Sequence, residues 1–235
     1  MLLVGYGTWN EKILSFLSLT TGTGNLLHRG ILSTFRQWKT ALKNGKLLIH
    51  PTRTECRIDI NKVLFLLDSI GFISSNDAQE DGLFPVGERF LQLLTFMGCS
   101  PHVRLEPEHP GDEEYVYIRL IESASPLLLA SDNSRTPACP NCRKPALSDW
   151  SVLEQGTAPL VCRHCGTKVV PETLRWRNDA GIGRFFIEIN SIYPGEAQPV
   201  ASMMQQLGET TGCEWRYFYL LKEKDSRTKK PPEAS

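Results

Sequence analysis

The sequence predicts an α+β protein, in which a helical N-terminal part precedes a small α/β part with a cysteine-rich insertion. Three observations predict this class. Apolar residues recur at helical intervals within residues 26–97, a strand–helix–strand pattern occupies 185–221, and two Cys-x-x-Cys pairs lie between them. We therefore expect domains over residues 1–98 and 99–221, followed by a disordered, Lys/Glu/Ser/Pro-rich tail over 222–235.

The composition is that of an ordinary globular protein, with 41% hydrophobic and 22% charged residues among 235. Lys plus Arg equals Asp plus Glu at 26 each, so no overall field attracts nucleic acid or acidic lipid. No apolar run approaches the ~20 residues of a membrane span, and the first residues do not resemble a signal peptide. We expect a cytoplasmic protein that does not bind membranes.

The N-terminal part is predicted to be mainly helical. Helices are expected over residues 8–18 and 26–42, where apolar residues recur three and four positions apart. A short strand follows at 47–49. The next helix begins after Asp59, a good cap residue, and ends at Gly71.

The elements that follow this helix are predicted to be short. They are a strand at 72–73, a polar turn at 74–82, a return strand at 83–85 and a closing helix at 86–97. This order resembles a winged-helix domain over residues 26–98, with a generic helical domain as the alternative. Because the turn carries acidic side chains, which phosphate would repel, the resemblance implies docking to a protein more than to a duplex.

The C-terminal part has the alternation typical of an α/β layer. Strands are predicted at 102–105 and 115–121, and a strand at 185–189, a helix at 196–207 and a strand at 216–221 form a βαβ unit. With the strand at 115–121, this unit makes a small layer into whose chain the cysteine-rich segment is inserted.

The cysteines carry the most specific signal. Seven cysteines, an odd number, in a chain without an export signal favour reduced thiols over a disulfide framework. Four of them form two matched pairs separated by 19 residues, Cys139-Pro140-Asn141-Cys142 and Cys162-Arg163-His164-Cys165. This spacing lets both sulfurs of a pair converge on one ion while backbone amides point at the thiolates, and Gly166 supplies the conformational freedom that such a turn needs.

The paired cysteines resemble those of a zinc ribbon, and the resemblance covers residues 136–171. It implies a Zn²⁺ ion held by Cys139, Cys142, Cys162 and Cys165, with iron as the alternative metal. Four thiolates fill a tetrahedral shell and leave no position for water, so the metal is expected to be structural. His164 is expected to face solvent or to support the ligands.

No catalytic residue is assigned. Cys56, Cys99 and Cys213 occur singly and are expected to be buried, inert thiols. An enzyme would need a pocket that gathers Cys99 with residues such as His102 and Glu106, and their closeness in sequence does not establish that geometry.

The distribution of charge leaves nucleic acid open as a partner. Residues 29–62 contain eight basic residues, Lys46 and Arg53 among them, and two acidic residues. A solvated helix face explains such a run equally well. Aromatic residues beside arginine, as in Leu174-Arg175-Trp176-Arg177 and Trp215-Arg216-Tyr217, can stack on bases or can fill an alternating strand.

These observations predict a protein that acts by recognition. We expect a protein-binding adaptor or assembly factor whose ribbon is held rigid by a structural metal, with no small-molecule substrate. A nucleic-acid-binding regulator that uses the ribbon and the winged-helix-like part is the alternative, and an enzyme is the third possibility.

Overall fold

The computed structural model describes residues 45–76, 82–97, 103–109, 112, 114–131, 134–150, 153 and 158–221. The described chain is mixed α and β, mostly strand with few helices, which confirms the fold class at that level. None of its helices has the length and apolar character that a membrane crossing requires. The helices predicted at 8–18 and 26–42 and the predicted tail at 222–235 lie outside the described residues.

The elements are short apart from two long strands. In chain order, the strands are β1 (Lys46–Pro51), β2 (Leu83–Pro85), β3 (Leu94–Phe96), β4 (Tyr117–Ala130), β5 (Leu160–Val161), β6 (Lys168–Val169), β7 (Ala180–Asn190), β8 (Ala197–Pro199) and β9 (Trp215–Leu220). The α-helices are α1 (Ile60–Ser69), α2 (Phe90–Leu93) and α3 (Ala201–Thr211). One 3₁₀ turn, Pro171–Thr173, precedes β7.

Five strands form one antiparallel sheet in the order β2, β4, β7, β1, β9. Two further pairs, β3 with β8 and β5 with β6, lie outside it. The long strands β4 and β7 pair along their length, with a change of register between Glu122 and Leu127. The segment between them, 131–179, contains the cysteine pairs, which therefore lie in the chain between two paired strands of one sheet.

Helices α1 and α3 pack on one face of this sheet and on each other. The Asp59 side chain caps α1 by accepting a hydrogen bond from the Asn61 amide at 3.0 Å, as predicted. Alternate residues of β1 and β7 face the helices. The core there includes Leu47, Ile49, Ile187 and Ile189 of the sheet with Val63, Leu67, Met203 and Leu207 of the helices.

A cluster of buried ion pairs, which the sequence did not predict, joins strands β1, β4 and β7. Glu188 of β7 has no exposed surface, and its Oε1 lies 3.1 Å from Lys46 Nζ and 2.9 Å from Arg119 Nη2. Lys46 therefore cannot contribute to the basic surface suggested for residues 29–62. Removal of one member of such a cluster would leave an uncompensated charge in the core.

The predicted βαβ unit is present in sequence order but not as neighbouring strands. Strand β7, helix α3 and β9 occur in that order, but the helix predicted at 196–207 begins only at Ala201, because residues 197–199 form β8. In the sheet, β1 lies between β7 and β9 and is antiparallel to both. Strand β1 is buried along its whole length, as a central strand is. Its place could not be predicted because its partners lie more than 100 residues away in the sequence.

The prediction of a helix over residues 86–97 is wrong. A single turn, α2, is followed by β3, which pairs with β8, and Met97 is 65% exposed instead of facing inward. Pairing with a distant strand overrides the local helical pattern here. Likewise, residues 103–105 of the predicted strand at 102–105 lie in a loop, where Arg104 contacts Glu108 and Asp112.

The winged-helix resemblance stays a prediction, because residues 26–44 and most of the proposed turn lie outside the described chain. Where that region is described, the strand pair at its centre is reduced to one bridge, Ile73 with Val86, and β2 pairs with β4 instead. The domain boundary at residue 98 also stays a prediction. Described residues on its two sides, such as Phe72 and Ile187, share one core.

Two of the single cysteines are bonded, which corrects the expectation that both are buried, inert thiols. Cys56 and Cys213 are half-buried and form a disulfide between the segment after β1 and the segment before β9. They are 157 positions apart, so spacing gave no sign of the pair. Strand pairing brings the two segments together, because the Thr52 amide donates to the Glu214 carbonyl at 2.8 Å beside the bond.

Candidate metal centre

The two cysteine pairs lie at the tips of two similar turns, which we call the knuckles, residues 139–144 and 162–167. In each turn the amide four residues after the first cysteine donates to that cysteine's carbonyl: Arg143 to Cys139 and Gly166 to Cys162, both at 2.9 Å. Both donor residues have positive φ, 61° and 71°. The glycine was expected to permit this conformation, and Arg143 adopts it without that freedom.

The knuckles bring all four predicted ligands together. Their sulfurs lie within 4.8 Å of one another, and the Cys139–Cys165 and Cys142–Cys162 sulfur pairs are each 3.8 Å apart. In a tetrahedral site with metal–sulfur bonds of about 2.3 Å, neighbouring sulfurs are about 3.8 Å apart. The quartet therefore has the size and donor chemistry to hold one metal ion, and each pair at 3.8 Å takes one sulfur from each knuckle.

Backbone amides and one hydroxyl shift the pKa values of the thiols. The amides of His164 and Cys165 lower the pKa of Cys162, and the Thr167 hydroxyl and amide lower that of Cys165 to about 6. The Lys144 amide lowers the pKa of Cys142, but burial and the other sulfurs outweigh it and raise that pKa to about 11.

The opposite shifts have different causes, because burial and the other sulfurs raise the pKa of Cys142, whereas turn amides and the Thr167 hydroxyl lower the pKa values of Cys162 and Cys165. Four thiolates within one small volume repel each other, so the protein alone favours the charge on some of them and opposes it on Cys142. A divalent cation among the sulfurs removes this conflict, because it stabilises every thiolate at once. The backbone amides of the turns, as predicted, also stabilise the thiolates by donating hydrogen bonds to them.

A contact between the knuckles was not predicted from the sequence. The Asn141 side-chain amide donates to Thr167 Oγ1 at 3.0 Å and lies 3.7 Å from the Cys165 sulfur. Thr167 Oγ1 lies 3.3 Å from the same sulfur. Asn141 lies between the two cysteines of the first pair, and Thr167 lies two residues after the last cysteine of the second pair. Polar residues at these two positions are the only sequence signal for a hydrogen bond that supports the ligands.

The ribbon-like module that contains the knuckles, called the ribbon below, has a small apolar core of its own. The rings of Trp150 and Trp176 meet edge to face at 6.0 Å, and the Trp150 indole donates to the Ser134 carbonyl at 3.0 Å. Ala138 pairs with Arg175 through two backbone hydrogen bonds, which close the base of the module. This core meets the sheet where β4 ends and β7 begins, through Leu128 and Ala130 of β4 and Ala180 of β7.

The other residues singled out in the sequence do not join the quartet. His164 is exposed, and so is Glu106, while Cys99 and His102 lie outside the described residues. Trp176 and Trp215 are only 4% and 7% exposed, so neither ring can stack on a base. The sequence Leu174-Arg175-Trp176-Arg177 alternates between buried and exposed residues, although it forms a single bridge at Arg175 and not the strand of the alternative interpretation.

Comparison of the chain with protein-family models, with curated proteins and with solved structures finds no match. The ribbon-like module is therefore supported by the cysteine geometry alone.

Proposed function

We propose that the protein acts by macromolecular recognition, as a protein-binding adaptor or assembly factor whose ribbon is held rigid by a structural zinc ion. The observation that carries this proposal is the saturated ligand set. Four converging cysteine sulfurs occupy every position of a tetrahedral ion, so no site remains for a reacting water or substrate. Such an ion stabilises a fold and performs no chemistry.

Zinc is the metal that we propose, and iron is the alternative. A four-sulfur tetrahedral set suits both ions, and zinc is the usual occupant of structural sites of this kind. Protein expressed with zinc available should contain one zinc per chain, measured by elemental analysis of the purified chain. A stoichiometric iron content with the visible absorption of an iron–thiolate centre would replace zinc with iron, and absence of any metal would refute the structural role.

A protein partner fits the surface of the ribbon better than a base-stacking partner does. The two aromatic rings of its core, Trp150 and Trp176, are buried, whereas Val161 and Val170 are 63% and 38% exposed. Exposed aliphatic side chains on a rigid frame suit contact with another protein, because they bury apolar surface without any ordering of the frame.

Nucleic acid remains the second candidate because one observation favours it. Arg175 and Arg177 are exposed beside the ribbon, where they could contact phosphate. Binding to DNA or RNA that weakens steeply with salt would support this role. No binding to either at low salt would remove it.

The proposed function is tested by affinity capture from the native cell. Bait with an intact ribbon is compared with Cys142→Ser, which lacks one ligand, and with Cys213→Ser, which loses a sulfur outside the quartet. We expect specific protein partners with the intact chain and with Cys213→Ser, and their loss with Cys142→Ser. Capture of the same partners by Cys142→Ser would show that recognition does not need the ribbon.

A further inference from the structure

We propose that the outer surface of the two knuckles binds an acidic protein segment that carries apolar side chains; this inference rests on the proposed function and specifies its partner. The knuckle surface is defined by four cations and two valines. They are Arg143, Lys144, Val161, Arg163, Lys168 and Val170.

The strand pairing and burial of the second knuckle place its members on one side. Val161 of β5 lies opposite Lys168 of β6, and both are exposed, whereas the alternating neighbours Cys162 and Val169 are buried. Side chains alternate between the two faces of a strand, so Arg163 and Val170 continue the exposed face.

The first knuckle is fixed beside the second by contacts independent of the metal. The Arg163 amide donates to the Ala146 carbonyl at 3.2 Å, two residues after Lys144. At the other end, Asn141 reaches Thr167, the residue before Lys168. The four cations are therefore held on one frame about the metal centre, which lowers the entropic cost of presenting them together.

The cations of this surface have no acidic partner in the described part of the chain. None of the ion pairs found there includes Arg143, Lys144, Arg163 or Lys168. The nearby acidic Glu172 is half-buried and accepts a hydrogen bond from Thr54 at 3.0 Å. A zinc tetrathiolate carries two excess negative charges, so four cations leave the surface positive even with the ion bound.

The charge and the exposed valines together favour an acidic peptide over a nucleic acid. Carboxylates complement the cations, and apolar side chains of the same segment cover Val161, which is 63% exposed. A phosphate backbone offers no counterpart for these valines. The chain as a whole is neutral, so its net charge gives a long polyanion no additional attraction.

The test uses the full-length, zinc-loaded chain and a short labelled peptide of Glu and Asp residues with two Leu residues. Its controls are the same peptide with Gln and Asn in place of the acids, and a single-stranded oligonucleotide of similar length. Binding is measured by fluorescence anisotropy at about 50 mM and about 300 mM salt. We expect the acidic peptide to bind more tightly than both controls and to bind more weakly at the higher salt.

Two matched variants locate the site. One variant replaces the four knuckle cations with Gln (R143Q, K144Q, R163Q, K168Q). The other replaces four cations that lie in or shortly before helices α1 and α2 (R53Q, R57Q, K62Q, R89Q). Both variants lose the same net charge. We expect the knuckle variant to weaken peptide binding by about tenfold and the other by less than about twofold, with zinc content unchanged in both.

Equal effects of the two variants, salt-independent binding, or tighter binding of the oligonucleotide would overturn this inference. Such a failure is distinct from failure of the proposed function. Partner capture that is lost in Cys142→Ser but insensitive to the knuckle charges would keep the recognition role and reject only the acidic partner.

Discussion

Each knuckle contains one residue in the left-handed backbone region, Arg143 with φ 61° and Gly166 with φ 71°. An L-residue with a β-carbon occupies this region at a cost of roughly 1 kcal/mol, which glycine avoids. A β-carbon at Gly166 would meet no atom within 4 Å, so a substitution there changes only the backbone energy. The two positions therefore form a natural pair for measuring the conformational cost of the turn.

We expect Arg143→Gly to stabilise the zinc-loaded ribbon by about 0.5–1 kcal/mol, and Gly166→Ala to destabilise it by about 1 kcal/mol. The measurement is urea unfolding of the zinc-loaded chain, followed by the fluorescence of the tryptophans. Opposite signs for the two substitutions are the essential outcome. If both were neutral, the positive φ angles would not limit the stability of the knuckles.

His50 is a second residue with a measurable effect, because it is buried in the sheet as a neutral ring. Its Nε2 accepts a hydrogen bond from Arg216 Nε at 3.1 Å, and its ring stacks on Phe186 with centroids 5.4 Å apart. Burial, together with the Arg216 charge, lowers its pKa to about 3. A protonated imidazole would meet a cation with no water to screen it.

This shift makes the fold sensitive to acid. Between pH 6.5 and about 3 the unfolded chain binds a proton at His50 that the folded chain does not, so the free energy of unfolding falls as the pH falls. The expected loss is about 2 kcal/mol between pH 7 and pH 5. His50→Gln keeps an acceptor for Arg216 and cannot titrate. Urea titrations across this range should show a weaker pH dependence for His50→Gln, whereas identical slopes would contradict the assignment.

At the scale of the element, the sequence predicted the local features and missed the long-range ones. The quartet, the cap at Asp59 and the core of β7 could be predicted because short-range spacing encodes them. The burial of Lys46 could not be predicted, because its partner Glu188 approaches only when β1 pairs with β7. The register of distant strands is set by the whole core and not by any local pattern.

The disulfide belongs to the same long-range class, since it joins the ends of two paired strands. Strands β1 and β9 pair from Lys46 with Leu220 to Pro51 with Trp215, and Cys56 and Cys213 lie just beyond that ladder. The strand hydrogen bonds hold the segments together without the bond. Its main effect is therefore on the unfolded chain, where it closes a long loop.

We expect Cys213→Ser to fold with its sheet intact and to lose about 2–4 kcal/mol of stability under oxidising conditions. Cys56→Ser should show the same loss, because either change removes the same bond. Urea unfolding with and without a thiol reductant measures it, and the reductant should bring the intact chain to the stability of the variants. A difference that persists in reductant would assign the loss to packing.

At the scale of the whole molecule, the described chain contains two apolar cores with different support. The sheet core joins α1 and α3 to β1, β4, β7 and β9, whereas the ribbon core gathers Trp150, Trp176 and two of the cysteines. In the described part of the chain, the knuckles are joined by this small core and by a few hydrogen bonds. A small core with short strands does little to offset the entropy of ordering its loops, so we expect folding of the ribbon to depend on the proposed ion.

Removal of the metal by a strong chelator should therefore unfold the ribbon and leave the sheet folded. Hydrogen exchange followed by mass spectrometry separates the two, because the amides of Cys162 and Gly166 are bonded within the second knuckle, whereas those of β1 and β7 are bonded within the sheet. Peptides from residues 137–146 and 160–169 should lose protection, while peptides from β1 and β7 keep theirs.

Cys142→Ser should reproduce this pattern without chelator, because three thiolates bind the ion more weakly than four. Cys213→Ser is the matched control, since it alters a cysteine outside the quartet and should keep the metal and the protected ribbon. Loss of protection in β1 and β7 together with the ribbon would show a single cooperative unit. The metal would then stabilise the sheet as well, and its removal could not be used to separate recognition by the ribbon from folding of the chain.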